Sequence, residues 1–149
     1  MNIAAQAPVQ ADQTIYLKDY QKPAFLVESI HLDIQVYDDH TIVDSTLVMK
    51  RQAAGELVLL GRDLELQSIQ MNGQLLNAGQ YQLDSEHLVI TDAPDQVILK
   101  IQVVIHPESN TQLEGLYKAG DLFVTQNEPE GFRKITFYPD RPDVLAEFT

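Results

Sequence analysis

An antiparallel all-β domain with a sandwich-like build is the fold class that three observations predict. Apolar residues alternate with polar ones at period two, and the apolar runs have strand length with turn residues between them. No amphipathic run of about ten residues at helical spacing interrupts the series. With 149 residues, 44% of them hydrophobic, the chain suits one folded unit that can bury a real core.

Residues 1–14 are rich in Ala and Gln and contain Pro8, which predicts a flexible lead-in and a folded domain over 15–149. The first strand shows in Ile30, Leu32, Ile34 and Val36, which alternate with His31, Asp33 and Gln35 and so give the strand one apolar face. The stretch YDDHT at 37–41 is turn chemistry, and 42–49 is the returning strand of a hairpin. Further strand-length runs lie at 57–60, 64–71, 81–83, 87–90 and 97–105. Asn72-Gly73 is the strongest local hairpin signal, because both residues tolerate the positive φ of a type I′ turn. The run ILKIQVVI at 98–105 reads as a more buried strand.

Charge and composition exclude several function classes. A formal net charge of -12 and a pI near 4.5 would repel nucleic acid and anionic membrane, so neither is expected as a partner. The chain has no cysteine, which removes disulfide frameworks and thiolate sites and favours a cytoplasmic setting. No run approaches the roughly 18 apolar residues of a membrane span, and the N-terminus has neither a basic leader nor an apolar h-region. His31, His40, His87 and His106 include no pair four residues apart, so the helical two-His zinc arrangement is missing and no metal site is expected. Each of these histidines reads as a surface or cross-strand residue. Neither a Gly-rich phosphate loop nor a nucleophile elbow is present, and the expectation is that no catalytic residue lies in this chain.

One loop stands apart from this picture. In TQNEPEGFRKIT, at 125–136, Gln126, Glu128 and Glu130 crowd together ahead of an apolar run. By itself the loop reads as a solvated acidic turn. Its surroundings are more specific: LEGLY at 113–117, GD at 120–121, TQ-x-E-x-EGFR over 125–133 and DRPDVLA over 140–146, with DYQKPAF at 19–25 far upstream. Together these resemble the end and the beginning of the N-terminal domain of the bacterial aminopeptidase N family, zinc aminopeptidases of the gluzincin class.

The resemblance implies a saddle-shaped, sandwich-like N-terminal β domain of an enzyme that removes N-terminal residues from peptides. It places zinc, a His-Glu-x-x-His motif, a distal glutamate ligand and a Gly-x-Met-Glu-Asn loop in a catalytic domain that follows, and none of these motifs is found here. The chain accordingly reads as a piece cut near a domain boundary and inactive alone, with the catalytic domain and peptides bearing a free N-terminus as its partners. Within the motif, Glu128 aligns with the glutamate that binds the substrate α-ammonium, a role that needs a fixed carboxylate. Gln126 aligns with the glutamine lining the first side-chain pocket, while Glu130 is left to solvent, and Arg133, Asp140 and Arg141 to pinning the loop. Pro129 departs from the small residue of the relatives, and makes a cis Glu128–Pro129 bond accessible at a cost of about 0.5–1 kcal/mol. A missing partner domain would also leave some of Leu122, Phe123, Phe132, Ile135, Phe137 and Phe148 exposed. From a different class, a free-standing acidic β-sandwich serving as a binding module fits the same composition.

Overall fold

The computed structural model describes residues 16–149, so the lead-in expected over 1–14 lies outside the described residues. Eleven strands follow one another: β1 (Phe25–Val36), β2 (Thr41–Arg51), β3 (Leu57–Leu60), β4 (Glu65–Met71), β5 (Gln74–Leu75), β6 (Gln82–Leu83), β7 (His87–Ile90), β8 (Gln96–Ile105), β9 (Gly115–Ala119), β10 (Leu122–Gln126) and β11 (Glu147–Phe148). The only helical pieces among the described residues are short 3-10 turns at Leu17–Asp19, Pro107–Ser109 and Phe132–Lys134. None is long and apolar enough to cross a membrane. The chain is all-β, as its alternation predicts.

Burial follows the sequence pattern most clearly in β2, where Thr41, Val43, Ser45, Leu47 and Met49 are buried and the residues between them are only partly covered. That face lies inside because β2 pairs antiparallel with β1 on one side and β8 on the other, setting Leu47 opposite Ile30 and Leu99, all fully buried. The sheet has six strands in the order β11-β1-β2-β8-β4-β5. A three-stranded sheet, β3-β7-β6, covers its inner face with Leu57, Leu59, Leu88 and Ile90, so two sheets share one core. The strand β8 is central in the order yet not buried on both faces. Its residues alternate, and Ile98 is 49% exposed, because nothing among the described residues covers the outer face of the large sheet there.

Asn72 and Gly73, at φ 51 and 82, make the hairpin between β4 and β5. The Asn72 side chain also joins the neighbouring strand, accepting from the Ile98 N–H at 2.8 Å and donating to the Gln96 carbonyl at 3.2 Å.

The C-terminal segment enters the core through 135–138, which the alternation pattern does not announce. Ile135, Phe137 and Tyr138 are buried, and Tyr138 exchanges backbone hydrogen bonds with Leu60 at 2.8 and 3.0 Å. Gly61 is required beside this bridge, since a Cβ there would lie 2.3 Å from the Phe137 ring. The buried Thr136 hydroxyl donates to Ser45 at 3.0 Å, and Ser45 donates to the Ile101 carbonyl at 3.3 Å. Two polar residues in the core are thereby satisfied. The chain then returns to the large sheet as β11, in parallel pairing with β1. This pairing is the one departure from antiparallel order among the named strand pairs.

Candidate functional site

β9 and β10 form a separate two-stranded ribbon, turned by Gly120 at φ 62. Its register sets Gln126, the last residue of β10, opposite Gly115, the first of β9. The strand ends there, so the alternation that would turn Asn127 away from its neighbours does not extend into the loop. Instead the loop closes on itself: the Gly131 N–H donates to the Asn127 carbonyl at 3.0 Å, and the Gln126 side-chain amide donates to the Glu128 carbonyl at 2.7 Å. The Glu128–Pro129 peptide bond is cis, and Glu130 lies at φ 61.

Two glycines of the sequence motif meet under this loop. A Cβ at Gly131 would lie 2.3 Å from the Gln126 carbonyl oxygen and 3.0 Å from the Gly115 nitrogen, so only a glycine fits. Gly115, at φ 70, has the same constraint from the other side, with the Gly131 carbonyl oxygen 3.0 Å from its would-be Cβ. LEGLY and EGFR are therefore two halves of one contact.

The three loop side chains have different environments. Gln126, Glu128 and Glu130 are all exposed. Glu130 turns back to Arg133 at 3.4 Å, whereas the Glu128 carboxylate has no ion pair or hydrogen bond among the described residues. Arg133 is the pin foreseen from the sequence: its Nε and its backbone N–H each donate to Asp140 Oδ2 at 3.1 Å, and Nη2 donates to the Asp140 carbonyl at 2.9 Å. Arg141 makes a similar fork on Asp143, and Tyr20 donates to the same carboxylate at 2.8 Å. The Arg141 guanidinium and this tyrosine hold Asp143 below the usual carboxylate range. Beside Asp140, burial first and that carboxylate second push the Tyr138 hydroxyl up to about 12.

Lys134 escapes a reading of the sequence alone. A lysine in a surface-loop motif reads as solvated, yet its side chain is only 4% exposed. Its ammonium donates to Asp63 at 3.1 Å and to Gln112, and lies 3.8 Å from Glu114. The signal that it lies inside is the buried run that follows it, which a single charged residue hides.

Several apolar side chains of the C-terminal region remain uncovered. Leu122, Phe123 and Phe148 are 69%, 38% and 52% exposed, while Ile135 and Phe137 are in the core and Phe132 is partly buried against it. Of the six expected candidates, three are exposed, and the segment crossing between the sheets accounts for the rest. A cavity of about 300 Å³ beside Lys134, lined by Asp63, His106, Asn110 and Gln112, is a weaker site candidate. The Lys134 ammonium, the His106 ring and the Asn110 amide are all engaged with protein partners. Among the described residues, no group of three or more His, Cys, Asp or Glu side chains is placed to hold a metal ion.

Known proteins share this sequence and fold. The chain is 42% identical over 139 residues to aminopeptidase N of Caulobacter vibrioides, and 41% identical over 142 residues to aminopeptidase N of Escherichia coli. These alignments cover 92% and 94% of this chain but only 16% of each relative. Among solved structures, aminopeptidase A of Legionella pneumophila in complex with aspartic acid superposes with a TM-score of 0.81 at 29% identity, over 89% of this chain and 16% of that one. A mutant M1 zinc metallopeptidase of Deinococcus radiodurans bound to a Tyr-Ser-Ala substrate shares the fold, with a TM-score of 0.70 at 21% identity over 84% of this chain and 31% of that one. No family model matches the chain. In sequence and fold the chain corresponds to the N-terminal domain of an M1 aminopeptidase.

Proposed function

We propose that residues 15–149 form the N-terminal domain of a cytoplasmic zinc aminopeptidase and that Glu128 binds the α-ammonium of the peptide substrate. The observation carrying this reading is the contrast inside one closed loop: Glu130 is paired with Arg133, whereas Glu128 projects a carboxylate with no partner among the described residues. A free carboxylate on a braced turn can receive a cation without first breaking another contact. Gln126 stands two residues away with its amide nitrogen committed to the loop, so its side-chain oxygen is the group left to line the first side-chain pocket.

The exposed Leu122, Phe123 and Phe148 supply a surface for the catalytic domain of the same polypeptide. Covering that surface removes water from around Glu128 and strengthens its attraction for an ammonium ion. Zinc, held by residues of the catalytic domain, supplies Lewis-acid activation of the scissile carbonyl and of water. This domain contributes registration: it holds the free N-terminus, so that a chain blocked at its amine or entering by its middle is not aligned.

The test is steady-state kinetics of Glu128→Gln and Glu130→Gln in the full-length enzyme on one unblocked aminoacyl substrate. Glu128→Gln keeps shape and removes charge, and is expected to lower kcat/KM by roughly ten- to several-thousandfold with zinc content and folding unchanged. Glu130→Gln should cost much less. If Glu128→Gln stays within about twofold of wild type while Glu130→Gln abolishes activity, the amine-binding carboxylate has been misplaced.

A further inference from the structure

The geometry assigns Lys134 as a positioning residue for the substrate-binding loop, an inference that rests on Glu128 being the amine-binding group. The ammonium of Lys134 draws together two segments distant in sequence. Asp63, at φ 58, comes from the loop after β3, and Gln112 and Glu114 flank Leu113, at φ 61, in the corner that leads into β9. With the side chain only 4% exposed, these acceptors rather than bulk water hold its ammonium, and it holds them.

What the corner positions is the loop itself. It ends at Gly115, where a Cβ would lie 2.7 Å from Lys134 Cβ and 3.0 Å from the Gly131 carbonyl oxygen, and Gly115 is the register partner of Gln126. The Lys134 N–H donates to that same Gly131 carbonyl at 3.0 Å. One residue therefore touches both ends of the loop: its backbone closes the far end at Gly131, and its side chain fixes the strand against which the near end, Gln126, is paired. Displacing the corner shifts Gln126 and, through its 2.7 Å hydrogen bond, the Glu128 carbonyl.

The partners of Lys134 separate this role from a purely structural one. Asp63 and Glu114 are 70% and 45% exposed, so water can take over their carboxylates if the ammonium is removed. Lys134→Met keeps the aliphatic stem in the core and deletes only the tether. The fold is expected to persist while the corner drifts.

The experiment compares wild type, Lys134→Met and the double variant Gln112→Ala/Glu114→Gln in the full-length enzyme. KM for an unblocked aminoacyl substrate is expected to rise about tenfold in Lys134→Met, and severalfold in the double variant, with kcat within about twofold. Amide hydrogen exchange is expected to quicken over 122–131 and to stay unchanged over 41–51 and 96–105. Exchange that quickens equally in all three stretches, or KM and exchange both at wild-type values, overturns the assignment. Should Lys134→Met fail to fold, the double variant decides, since it alters only exposed or half-exposed side chains. Glu128→Gln is run in parallel. If that variant is fully active, the amine-binding reading fails, and the exchange data still decide whether Lys134 orders the loop.

Discussion

Between Phe25 and Ile105 the molecule is held by repetition, whereas the loop at 126–131 and its supports are held by single contacts. In the sandwich, Ile30, Leu47 and Leu99 are each fully buried and each is one of many residues doing the same thing at period two. Past Asn110 the chain rejoins the core over 135–138, but the loop before it is fixed by a fork from Arg133 to Asp140, a buried lysine side chain at Lys134, and two glycines that touch. The difference teaches where stability and geometry reside. Apolar burial is non-directional and sums over the sheet, so the sandwich sets how stable the domain is. Hydrogen bonds and close backbone contacts are directional, so the contacts around the loop set where Glu128 stands, while the exposed loop residues 126–130 add no burial of their own.

Substitutions should pull the two apart. The largest effect on stability is expected from Leu47→Ala, which empties a fully buried position between Ile30 and Leu99. It should cost about 2–5 kcal/mol in urea unfolding, with the m-value and the KM of the full-length enzyme unchanged. A change in KM comparable to that of a loop variant would break the division. Gly131→Ala comes next. Its new Cβ would start 2.3 Å from the Gln126 carbonyl oxygen, and overpacking of this kind costs about 1–3 kcal/mol. Chemical-shift changes are expected at Gly115 and over 126–131 and not at Leu47 or Leu99. Changes that spread through the sandwich would show that the two regions act as one.

The smallest expected effect concerns His106, at the seam between the two regions. Its ring donates to the Asp39 carbonyl at 3.1 Å and to Glu65 at 3.0 Å, with Glu108 3.8 Å away, and these contacts, the Asp39 carbonyl foremost, raise its pKa above 6.5 against a small opposing effect of burial. The folded state thus holds its proton more tightly than the unfolded state. The stabilisation is fully present below pH 6.5 and is lost as pH rises through the raised folded value. Urea midpoints of wild type should fall over that window, and those of His106→Gln should be flatter. The ring is 41% exposed, so the slope is modest. A wild-type midpoint that rises with pH there would contradict the assignment.

The same division governed what could be read in advance. Strands 57–60 and 87–90 match the sequence pattern at both ends, and the Asn72-Gly73 turn forms where its chemistry calls for it, because alternation and turn preference act over a few neighbouring residues. The β9–β10 ribbon carries no such mark. Only Gly115 and Leu116 in it are buried, so nothing in its side chains distinguishes a strand from a loop. The motif residues singled out this loop through resemblance, and they left unsaid that Glu130 pairs with Arg133 and that Lys134 lies inside.

By itself, then, the sequence determined the all-β class, the first hairpin, the Asn72-Gly73 turn and the acidic loop at 126–130, since each depends on residues adjacent or alternate along the chain. Only the tertiary structure decided the strand order, the parallel return of β11 to β1, and the meeting of Gly115 with Gly131. It also decided which of two neighbouring glutamates keeps a free carboxylate. Those outcomes depend on which distant segments share a buried space, and that is settled by packing the whole chain at once.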